Sequence, residues 1–206
     1  MFAKLRLLLA ALALVAVSSF ATSQWLQAQQ EPDGQDQMDP AMMAQMMAMG
    51  TPGKEHKVLT RSAGEWDDKA QMRMSPGADW TEIPMTTSVK TLLGGRFIQR
   101  TIKGNFAGMP WEGIHILGYD KLAKEYVSFW MDSFGTWFVQ SKGQYSEESK
   151  TLEMKGAMRD VISPDGRPFR QVIRIIDEDH SEVEMYDTIP PAGEVMVMKV
   201  KSTRVK

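Results

Sequence analysis

The 206-residue chain contains no cysteine. That excludes disulfide bonds, thiolate metal sites, cysteine nucleophiles and a lipid-modified N-terminal cysteine together. An excess of one charge sign is also missing: 24 basic residues face 26 acidic ones. A nucleic-acid partner would need a basic face, so none is expected. With 16 glycines and 10 prolines, collagen-like and fully disordered classes are excluded as well. Beyond residue 21 no apolar run approaches the roughly 20 residues of a membrane-spanning helix, so no transmembrane segment is expected in the mature chain. There is no Gly-x-Ser-x-Gly, phosphate-binding loop, dinucleotide fingerprint or His-Glu-x-x-His helix. No catalytic residue, metal site or cofactor is therefore predicted, and an enzyme ranks behind two non-enzymatic readings. Nothing in the composition bears on oligomeric state.

What the chain does have begins at its N-terminus. Lys4 and Arg6 precede an unbroken apolar run from Leu7 to Val17, and Ser19 and Ala21 are small residues placed for cleavage before Thr22. Residues 1–21 read as a secretory signal peptide, with a competing cut after Ala28, and the protein is expected to be secreted or periplasmic. Loss of Lys4 and Arg6 leaves 22 basic groups against 26 acidic ones, a charge of −4. Residues 22–37 are Gln-rich, with Pro32 and Gly34 and no hydrophobic period, and read as a disordered linker.

Residues 38–63 carry two short helical signals. In the first, Asp39 suits the N-cap, Pro40 the first turn and Gly50 the stop. The second starts at Thr51-Pro52 and runs through Glu55, His56, Val58 and Leu59 to about Ala63. Met42, Met43, Met46, Met47 and Met49 crowd the first helix. Thioethers at this spacing could hold Cu(I), a soft ion. Packing over an irregular surface is the simpler reading, because methionine adapts to uneven gaps and no histidine joins the cluster.

From Gly64 the period changes to two. Trp66, Ala70, Met72 and Met74 alternate with Asp67, Lys69, Gln71 and Arg73, as in a half-buried strand. Similar runs recur near 80–93, 96–106, 109–119, 125–132, 136–145, 151–159, 169–177, 181–188 and 195–205, with turn residues between them. About ten strands with short links predict an up-and-down antiparallel β-barrel over 64–206. In the last strand Met196, Met198, Val200, Ser202 and Arg204 share one face, and Lys199 and Lys201 mark the other as wet. Arg204 then points inward and needs a partner; Trp66, at the start of the first strand, is expected to supply its ring near one rim and help close the barrel.

Three histidines are present. His56 reads as solvated or capping, and His180, in Asp177-Glu178-Asp179-His180, as part of a hairpin turn. His115 alternates with Trp111, Gly113 and Leu117. A structural histidine is the commoner role, yet it is the best single candidate for touching a ligand. Trp111, Phe129, Trp130, Trp137 and Phe138 crowd the middle strands, and two outcomes stay open for them: an aromatic-lined cavity or a filled core. The cavity candidates are His115, Trp111, Trp130, Trp137 and Met72.

A short helix before Gly64-Glu65-Trp66, with an inward Arg204 at the end of the last strand, resembles the lipocalin and fatty-acid-binding (calycin) barrels. The chain from about Met42 also resembles a bacterial family known as domain of unknown function 1579. The residues carrying that likeness are Thr51-Pro52-Gly53 with His56, Gly64-Glu65-Trp66, Leu93-Gly94-Gly95-Arg96, Gly108-Met109-Pro110 with Gly113, Gly118-Tyr119-Asp120, Trp130-x-Asp132-Ser133-x-Gly135 and Arg204. The resemblance implies a barrel and brings no activity with it. The leading expectation is an exported barrel that binds a small hydrophobic ligand; a filled structural or envelope-associated barrel is the alternative.

Overall fold

The computed structural model describes residues 39–161 and 163–206. The signal-peptide and linker readings fall outside the described residues. The described residues divide into two units, one ending at Met46 and the other spanning 47–206. Helix α1 (Pro40–Gly50) opens on Asp39, whose Oδ1 accepts the Ala41 N–H at 2.9 Å. No residue of α1 is buried; Met42, Met46 and Met47 are each more than half exposed. At the C-terminal end of α1, Lys121 Nζ donates to the carbonyls of Ala48 (2.9 Å) and Thr51 (2.6 Å), groups a helix end leaves without partners. Helix α2 (Lys54–Thr60) starts where the Gly53 N–H meets His56 Nδ1 at 3.0 Å, so His56 is a buried cap. It stops before Ala63 because the carbonyls of Arg61 and Ala63 turn away to accept bonds from Arg204.

Ten strands follow: β1 (Gly64–Met72), β2 (Thr81–Leu92), β3 (Phe97–Phe106), β4 (Met109–Asp120), β5 (Glu125–Asp132), β6 (Val139–Ser146), β7 (Thr151–Met158), β8 (Arg167–Ile175), β9 (His180–Ile189) and β10 (Gly193–Arg204). Each pairs antiparallel with the next, and β10 returns to β1, closing the barrel. Closure leaves no unpaired edge. At the seam Trp66 faces Arg204, Asp68 faces Ser202, Ala70 faces Val200 and Met72 faces Met198.

Further expectations change. The strand foreseen over 136–145 begins only at Val139, because Asp132 holds residues 133–138 as a loop: its Oδ1 accepts the Phe134 N–H and its Oδ2 the Trp130 Nε1–H. In β10 the pairing shifts between Met196 and Met198. This bulge adds a residue and flips the phase, so Val195, not Met196, is buried.

The interior holds two apolar clusters. One, beside α2, contains Leu59, Trp66, Val89, Ile98, Leu117, Tyr126, Leu152 and Met154. The other contains Ala70, Ile83, Met85, Ile102, Val183 and Val200. Polar side chains are buried in the barrel too: Asp68, Thr87, His115, Ser128, Ser141 and Ser202. Thr87 donates its hydroxyl to Asp68 Oδ2, and Ser128 and Ser141 share a bond of 2.6 Å.

Candidate functional site

A cavity of about 720 Å³ lies at the α2 end of the barrel. Its volume falls in the range of small-molecule sites. Inward positions of β2, β3, β4, β7 and β8 supply its aliphatic wall, as Val89, Ile98, Leu117, Leu152 and Ile173; α2 contributes Val58 and Leu59, and β1 contributes Trp66. The mouth is charged, with Arg61, Lys150, Arg204 and the turn Asp177–His180. Asp177 is held below the ordinary carboxylate range by the Asp179 backbone N–H and, next, by the His180 side chain.

One charged group enters the wall itself. Arg100 lies on β3 between Ile98 and Ile102 and borders the cavity. It makes no hydrogen bond or ion pair to any other described residue, and its Nε is buried without a partner. Burial lowers its pKa, and the Asp68 carboxylate acts in the opposite direction. Its register partner on β4 is His115. Burial first, then the Arg100 charge, push the imidazole down to about 3, so it is neutral at ordinary pH.

None of the five residues nominated from sequence as cavity candidates borders this space. Four come together elsewhere. Trp111, Trp130 and Met72 pack against the second apolar cluster, with the Trp111 and Trp130 rings 6.2 Å apart and His115 edge-on to Trp130 at 5.9 Å. Phe134, from the β5–β6 loop, stacks on Trp111 at 6.4 Å. Trp137 stands apart in that loop, over a third exposed, with its Nε1–H on the Arg159 carbonyl at 2.8 Å. By contrast Trp66 and Arg204, nominated for closure, do border the cavity. The guanidinium carbon lies 4.4 Å from the Trp66 ring centroid, and its N–H groups reach the carbonyls of Arg61, Ala63 and Glu178. Gly64 makes room for it: its φ is +134°, and a Cβ there would lie 2.7 Å from Arg204 Nη1. Arg100 and Asp68 are not among the residues that the sequence singles out. Each occupies an apolar phase of its strand, Arg100 between two isoleucines and Asp68 between Trp66 and Ala70, and strict alternation places both indoors. Among the described residues, no group of three or more His, Asp or Glu side chains could hold a metal ion.

The family model described as "Protein of unknown function (DUF1579)" matches residues 51–204. The chain belongs to this family. The match runs from Thr51, just ahead of α2, to Arg204, and so takes in the whole barrel and its seam while leaving α1 aside. No curated protein sequence matches the chain. Among solved structures, the chain is similar to Rv2717c from M. tuberculosis (TM-score 0.57, 14% identity, covering 76% of this chain and 100% of that one). It is also similar to the S-type phycobiliprotein lyase CPES from Guillardia theta (TM-score 0.52, 12% identity, covering 78% of this chain and 97% of that one). At such identities the likeness is one of fold.

Proposed function

We propose that this member of the family is an exported barrel that holds a small hydrophobic ligand in the cavity beneath α2. The observation that carries the reading is a 720 Å³ space walled by aliphatic side chains in a barrel whose other cluster is packed with side chains. Burial of a hydrocarbon against such a wall is favourable at roughly 25 cal/mol per Å² of apolar surface removed from water. Export is supported by the Lys4/Arg6 and Leu7–Val17 pattern.

Native mass spectrometry of the protein recovered from the exported fraction tests the ligand, and N-terminal sequencing of the same sample tests export. A co-purifying lipid-like mass and a chain starting at Thr22 or Gln29 are expected. A bare chain that also fails to bind an added hydrophobic fluorophore supports the filled barrel instead, and a chain starting at Met1 refutes cleavage. Ile175→Trp, which narrows the cavity at the end of β8, should weaken fluorophore binding at least tenfold without altering the far-ultraviolet spectrum.

A further inference from the structure

The buried side-chain polar atoms that lack a partner among the described residues are Asp68 Oδ1, Arg100 Nε and Ser202 Oγ. Asp68 and Ser202 are buried register partners across the seam, and Arg100 is partly buried on the same phase of β3 as Ile98 and Ile102. Arg100 alone of the three borders the cavity. A guanidinium carries five N–H donors and accepts nothing; here the Nε–H is buried without a partner and the partly exposed group borders the cavity, where an acceptor would take its bonds.

The charge around it restricts what that acceptor is. Asp68 is the carboxylate that acts on Arg100, but the two form no ion pair, and Asp68 Oδ2 is already taken by Thr87. The neighbouring His115 is neutral. Arg100 and Asp68 therefore already offset one another in net charge. A carboxylate brought to Arg100 would shed its water, leave the interior with a surplus negative charge and face Asp68. A carbonyl oxygen gives up far less hydration and still receives a charge-assisted bond.

Building on the cavity reading above, we propose that the ligand presents an uncharged hydrogen-bond acceptor, a carbonyl of the ester, ketone or amide kind, to Arg100. Its hydrocarbon part lies along Val89, Ile98, Leu117 and Leu152 toward the mouth.

The full chain can be titrated calorimetrically with three probes of one chain length, about twelve carbons to suit a site of this class: a methyl ketone, the carboxylate at pH 8, and the alkane. The ketone is expected to bind at least tenfold more tightly than either of the others. Arg100→Met should abolish the ketone's advantage over the alkane while leaving alkane binding in place. Asp68→Asn, which leaves the Arg100 charge without its offset, should raise carboxylate affinity at least tenfold. Should Asp68→Asn fail to fold, the probe order on the unmodified chain and on Arg100→Met still decides. A carboxylate that binds as tightly as the ketone, or a ketone advantage that survives Arg100→Met, overturns this proposal and leaves the cavity reading standing. If none of the three probes binds, both fall.

Discussion

His115 shows how burial sets the charge of a single residue. Its pKa in the folded chain is about 3 against an ordinary 6.5. Well above pH 6.5 neither the folded nor the unfolded chain protonates it. Below that value the unfolded chain takes up a proton that the folded one refuses, so stability falls as pH drops from 6.5 toward about 3. The limiting slope is about 1.4 kcal/mol per pH unit for one proton. His56 is also held low, mainly by burial, and adds to the loss with the same sign. The lowered carboxylates Glu184, Glu194 and Asp177 act in that direction too, but only as pH nears their ordinary values of 4.5 and 3.8. Urea denaturation between about pH 7 and 5 therefore reads the histidines. His115→Gln is expected to reduce the slope in that window by up to one proton, and an unchanged slope would contradict a neutral, enclosed imidazole.

At the scale of elements, α1 and the barrel differ in what holds them. A helix of 11 residues is marginal alone, and α1 buries none of its side chains. Each strand, in contrast, is paired on both sides. Removing residues 22–50 deletes the Ala48 carbonyl that Lys121 bonds and the Met47 carbonyl that the Thr51 hydroxyl bonds. Such exposed hydrogen bonds are worth roughly 1 kcal/mol each. The truncated chain should keep its strand spectrum and unfold cooperatively with a loss of that order, measured by thermal and urea denaturation. A chain that no longer folds would show that α1 does more than its exposure indicates.

The whole molecule depends on one seam, where the first and last strands meet. Trp66 and Arg204 pair there with the cation over the ring, and Arg204 also ties β10 to the turn after α2 and to the Glu178 carbonyl. A lysine has no planar fork to reach three carbonyls at once. Arg204→Lys and Trp66→Leu should each destabilise, and the stacking contact itself is worth about 0.5–2 kcal/mol. The double variant should lose less than the two losses combined by about that amount, measured as a cycle of unfolding free energies. Strict additivity would remove the stack as a source of closure. This seam is legible in the sequence, because a period of two assigns faces and consecutive hairpins bring first and last strands together. The bulge at Met196/Met198 was not, since one inserted residue flips the phase without any local sequence signal. The amino-acid sequence by itself determined the number of strands, their antiparallel order and the inward face of Trp66 and Arg204. Only the tertiary structure decided where the interior stays open. The crowded tryptophans Trp111 and Trp130 consume their own end, while the aliphatic ring around Arg100 leaves space beneath α2. Empty volume is the difference between a barrel's girth and the side chains stacked across it, and those side chains come from strands far apart in the chain.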